Sequence, residues 1–162
     1  MRPSRLAPIL VTVAMLAAVS GASAQEMQHA THTPPKPAAR RIEVPSGAVG
    51  IALPDLGVEI VAVRLTAAGG MLDLRYRVLD PAKAKPLMDP AVPISLSDPG
   101  TGTKLQIPVD EQIGALRQSG SGIRPGQVLA NLFSNPGHVV KKGGKINLRL
   151  GDLEVVGLTV EG

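Results

Sequence analysis

GVEIVAVRLTAAGGMLDLRYRVLDP, residues 57–81, decides how this chain folds. In its second half Leu72, Leu74, Tyr76 and Val78 alternate with Asp73, Arg75 and Arg77. Successive strand side chains point to opposite faces, so the pattern predicts a strand with one apolar and one polar face. The first half, Val58 to Leu65, is apolar on both faces, as a more deeply placed strand requires. Between them Ala67-Ala68-Gly69-Gly70 offers the positive-φ freedom of a tight connection, and residues 57–79 therefore predict a β-hairpin.

Outward from that hairpin the same logic repeats. PAKAKPLMDPAVP carries four prolines, which removes ladder donors and predicts an irregular crossover with at most a short helical turn. Ile94 and Leu96, the DPGTGT turn, and Leu105 with Ile107 predict a second hairpin, in which Asp98 bonds its own turn, as Asp110 does further on. GQVLANLFS is a strand bounded by Pro125-Gly126 and Asn135-Pro136-Gly137. KINLRL and LEVVGLTV flank Gly151-Asp152, a two-residue turn with glycine first. No long window carries a helical stripe. The fold class expected is all-β: an immunoglobulin-like sandwich of about seven strands over residues 42–162. A closed barrel is the competitor; the long crossovers at 80–92 and 109–126 favour strands that change sheets.

Ahead of the sandwich, Arg2 and Arg5 precede the apolar run LAPILVTVAMLAAVS and the small-x-small sequence Ala22-Ser23-Ala24. This predicts a cleavable signal peptide over residues 1–24, and hence a periplasmic or secreted protein. No second apolar span follows, so cleavage leaves nothing to hold the chain in a membrane. Residues 25–41, with three prolines and no apolar periodicity, read as a disordered leader.

Composition narrows the chemistry. There is no cysteine, so disulfides, thiolate metal sites and cysteine nucleophiles are excluded. The formal charge of +4 falls to +2 when Arg2 and Arg5 leave with the signal. So small a charge, with Tyr76 and Phe133 as the only aromatic residues, argues against nucleic acid, which needs dense basic surface and stacking platforms. Of three histidines only His138 lies in the domain, and no serine sits in a G-x-S-x-G context. Gly100-Thr101-Gly102-Thr103-Lys104 lacks phosphate-loop spacing. The reading is of a protein that is not an enzyme and has no cofactor.

Two surfaces remain. In the leader, Met27, His29 and His32 combine one thioether and two imidazoles, a donor set suited to copper. On the hairpin, Arg75 and Arg77 project the same way and could dock another envelope or extracellular protein. Lys141, Lys142 and Lys145 form a separate basic turn, read as a solvated, lysine-guarded edge.

Two resemblances bear on these surfaces. VVKKGGKINLRL resembles the lysine/glycine turn and apolar strand of periplasmic copper chaperones, which implies metal delivery through Met and His ligands. LDLRYRVLDP and NLFSNPGHVVKKGGKINLRLGDLEVVGLTV are similar to a group of small exported bacterial proteins sharing R-Y-R-V-x-D-P and N-P-G motifs. That likeness covers most of the domain and implies an exported life and a fold, without an activity. The expected function is a non-catalytic binding or accessory module of the bacterial envelope, with copper handling by the leader as the alternative.

Overall fold

The computed structural model describes residues 39–45, 48, 50–120 and 122–162. The expected signal peptide and nearly all of the expected leader lie outside them.

The decisive hairpin is present. β3 (Val58–Thr66) and β4 (Met71–Val78) pair antiparallel, with Ile60 opposite Tyr76 and Val63 opposite Leu74. β9 (Val128–Ser134) adds to β4, and β2 (Ile51–Leu53) to β3, completing a four-stranded sheet. The second sheet runs β1-β11-β10-β5-β6, built from β1 (Arg40–Glu43), β5 (Ile94–Ser97), β6 (Lys104–Leu105), β10 (Lys145–Leu150) and β11 (Leu153–Thr159). β1 takes in Arg40 and Arg41 and pairs parallel with β11. A small separate hairpin joins β7 (Val109–Asp110) to β8 (Gly114–Ala115).

The chain is an all-β sandwich, and its connectivity is immunoglobulin-like. The segment after β8 lies along β9, with Arg117 opposite Asn131 and Leu132 N–H donating to Leu116 C=O at 2.9 Å. In the usual lettering, β3, β4, β9 and this segment follow the order A-B-E-D, while β11, β10, β5 and β6 follow G-F-C-C′. The seven strands read from the sequence, joined by the segment after β8, make this framework; β1, β2, β7 and β8 are short additions. Short backbone connections also tie the sheets on both sides. Glu161 N–H donates to Val63 C=O at 2.8 Å on one side, and Ser134 N–H to Gln106 C=O at 2.9 Å on the other.

The core follows from strand parity. Leu72, Leu74, Tyr76 and Val78 of β4 and Leu129 and Phe133 of β9 meet Leu96, Ile146, Leu148 and Val155 from the facing sheet, all buried. The crossover after β4 is short helix and turn, as the prolines require. Asp80 caps α1 (Pro81–Ala84) by accepting from the Ala82 and Lys83 amides at 2.9 and 3.4 Å, and a 3-10 turn continues over Lys85–Met88. The β10–β11 turn places Gly151 at φ +58°, with Leu150 opposite Leu153.

The β3–β4 turn differs from expectation in one respect. Left-handed φ falls on Ala67 (+50°), Ala68 (+52°) and Gly69 (+87°), whereas Gly70 is at −77°. Tertiary bonding accounts for this, because Asn135 holds the Gly69 and Gly70 carbonyls at 2.8 Å each. Left-handed backbone costs an L-residue roughly 1–2 kcal/mol, and glycine gives back somewhat less in unfolded-state entropy. Ala68 is exposed, so Ala68→Gly loses no packing. The expected result is a gain of up to about 1 kcal/mol, read as a melting temperature a few degrees higher; an unchanged or lower value would show that the turn holds no strain.

Candidate functional site

The outer face of the four-stranded sheet is ordered by register. On β4, Met71, Asp73, Arg75 and Arg77 point away from the core, opposite Thr66, Arg64, Ala62 and Glu59 of β3. Their β9 neighbours are Ser134, Leu132, Ala130 and Val128. Val61 is the extra residue of a bulge, which keeps Ala62 in line with Arg75. A charged ribbon on β3 and β4 thus runs beside an apolar strip on β9, which continues through the half-buried Leu116 to Ile113.

Arg75 and Arg77 are both on this face, and each is engaged. Arg75 Nε donates to Asp73 Oδ2 at 2.8 Å, and Arg77 Nη1 donates to Glu59 Oε2 at 2.8 Å. Arg64 Nε reaches Glu161 Oε2 at 2.9 Å. The ribbon is therefore close to neutral, with opposite charges facing each other across the strands at Arg64–Asp73 and Glu59–Arg77. Exposed pairs of this kind contribute at most about 1 kcal/mol each, so they fix side-chain direction more than stability. Asp73 is 8% exposed, and its Oδ1 has no hydrogen-bond partner among the described residues. A buried, half-satisfied carboxylate is costly and calls for a donor.

Exposed apolar side chains gather nearby. Val128 is 47% exposed, and Val109 and Ile113 on the β7–β8 hairpin are 76% and 74% exposed. Asp110 shapes that hairpin by accepting from the Gln112 and Ile113 amides at 2.8 and 3.1 Å, bonds that hold its carboxyl below the usual range. Asp98 likewise accepts from the Thr101 hydroxyl at 2.7 Å and from turn amides, with its carboxyl also held low. Both aspartates serve turns, as the sequence predicts.

Beneath the face lies a buried polar cluster. Burial pushes the Tyr76 hydroxyl above its ordinary pKa, offset by the Asn131 amide and the Arg117 charge. Asn131 lies beside that hydroxyl but outside hydrogen-bonding geometry, and its Oδ1 accepts from the Gln118 amide at 3.0 Å. Arg117 turns inward and spans the crossover, donating to the Leu87, Asp89, Pro90 and Val92 carbonyls. These two polar residues sit at inward positions of strands and were missed by sequence reasoning, although a lone Asn within the apolar VLANLF was a legible sign.

The remaining sequence candidates separate. Met27, His29 and His32 lie outside the described residues. His138 is exposed at φ +52°, with its Nδ1 over Gly69. Among the described residues no three His, Asp or Glu side chains converge as a metal centre. Lys145 Nζ bonds Thr159 Oγ1 at 2.7 Å.

Comparison with protein families, curated proteins and solved structures finds no match to this chain.

Proposed function

We propose that this chain is an exported, non-catalytic binding module of the bacterial envelope, and that the outer face of its four-stranded sheet is the contact surface. The observation that carries the reading is the pattern of that face. A charged ribbon holding Arg75 and Arg77 in fixed directions lies against an apolar strip with Val128 half exposed. Specific interfaces combine these elements, an apolar patch that desolvates and flanking charges that select the partner. The export component of the reading rests on the signal-like sequence of residues 1–24.

The experiment is cross-linking in cells of a tagged chain expressed from residue 1, compared with Arg75→Glu/Arg77→Glu. Loss of the cross-linked species is expected with folding intact, the melt of the purified variant falling by more than an exposed pair would cost because Arg75→Glu also leaves the buried Asp73 carboxylate without its cation. Unchanged capture by the variant would remove this face from consideration as the contact surface.

A further inference from the structure

We propose that the outer face of the four-stranded sheet is the two-fold interface of a homodimer, with the axis parallel to the sheet and above its outer face, perpendicular to the strands, over the row Ala62–Arg75–Ala130. This rests on the reading of that face as a contact surface and names the partner as a second copy of the chain. An isologous interface must be complementary to itself under its axis, and the register allows that to be checked residue by residue.

Rotation about this axis keeps each strand over its counterpart and exchanges the rows on either side. Glu59 then faces the second copy's Arg64, and Arg77 faces the second copy's Asp73, so opposite charges meet in both ribbons. On β9, Val128 faces the second copy's Leu132, apolar on apolar. One row further out, Leu79 continues the β4 alternation opposite Gly57, whose carbonyl accepts its N–H at 2.8 Å. Leu79 is 48% exposed and comes over the second copy's Met71. The axial row is small on both flanks, Ala62 and Ala130, which permits close approach. The two Arg75 side chains meet there, each already neutralised by its own Asp73 at 2.8 Å.

Asp73 lies along this seam with its Oδ2 held by Arg75 at 2.8 Å and its Oδ1 covered by its own chain, so the second copy's Arg77 meets the Asp73–Arg75 pair by charge and not through a bond to Oδ1. The size is also adequate. Five strand positions about 4.8 Å apart and five rows about 6.8 Å apart span a plane of roughly 500 Å² before side-chain relief is added. Stable complexes bury about 800 Å² per partner.

The test is sedimentation velocity over a wide concentration range, on the chain expressed from residue 1 and purified as the cell processes it. A reversible monomer–dimer equilibrium is expected. Val128→Glu should weaken it by about a hundredfold, a tenfold effect per site counted twice in an isologous interface, with little change in the melt because Val128 is half exposed. Glu59→Arg should also dissociate the dimer, and Glu59→Arg/Arg64→Glu should restore it. A chain that sediments as a monomer throughout would overturn the proposal, as would a dimer indifferent to Val128→Glu or a double exchange that restores nothing. A monomer whose cross-linking in cells is still abolished by Arg75→Glu/Arg77→Glu would overturn the dimer and leave the contact face standing, with a different protein upon it.

Discussion

Asn135→Ala is expected to lower the stability of the domain by about 4 kcal/mol. The side chain is 1% exposed, and its amide makes three bonds at the corner between β9 and β10. Nδ2 donates to the Gly69 carbonyl at 2.8 Å and to the Val140 carbonyl at 2.9 Å, while Oδ1 accepts from the Val140 amide at 3.1 Å. Alanine leaves two carbonyls and one N–H without partners in a region where Val140 is itself 4% exposed. Each buried polar group abandoned in this way costs roughly 1–3 kcal/mol, which sets the magnitude. The loss of the Gly69 contact also lets Ala67 and Ala68 relax in part, the Asn135 N–H still holding the Gly70 carbonyl at 2.8 Å, so a share of the roughly 1–2 kcal/mol per left-handed residue offsets part of the cost. Urea denaturation should show a lower midpoint at an unchanged slope. A loss below about 1 kcal/mol would mean that water or a relaxed loop replaces the amide, and that the corner is not held by it.

The contrast between this corner and the hairpin beside it shows what the sequence made legible. Leu72, Leu74, Tyr76 and Val78 declare their face through period two alone, because the information lies within eight adjacent residues and burial enforces it. The same parity put Arg75 and Arg77 on one face. It did not reveal that Glu59 and Asp73 already hold them, since those partners depend on cross-strand register and on the bulge at Val61. Asn135 was visible as part of an N-P-G turn, where asparagine ordinarily bonds its own loop. Its bond to Gly69 spans 66 residues and exists only once both loops reach the same end of the sandwich. Turn composition likewise located the Ala67–Gly70 connection, while the placement of positive φ on two alanines came from that distant amide. The apolar strip was hidden for a related reason. Val128, Ala130 and Leu132 alternate with buried residues in a stretch apolar on both faces, and their exposure follows from β9 having only a partial outer neighbour in residues 116–118.

The second large effect is expected at Arg117, and it follows from the prolines of the crossover. Residues 81–93 contain Pro81, Pro86, Pro90 and Pro93, so four backbone donors are missing from a segment that must still satisfy its carbonyls. Arg117 supplies donors from across the sandwich. Its Nη2 reaches the Leu87 and Asp89 carbonyls at 2.8 and 3.1 Å, and its Nη1 the Val92 and Pro90 carbonyls at 3.1 and 3.4 Å. Charged donors are worth more than neutral ones, and two of these bonds are partly buried. Arg117→Ala is therefore expected to cost about 3 kcal/mol. Lysine should recover less than half, because one ammonium cannot span four acceptors that match a planar fork. The loss should also be local in a way that a generic core lesion is not. The Val92 amide, which donates to the Asp89 carbonyl at 3.0 Å, should lose hydrogen-exchange protection well before the β4 and β9 amides do. If Val92 kept its protection in the alanine variant, the crossover would be held by the packing of Leu87 and Met88 instead, and the guanidinium would be a passenger on the groove it lines.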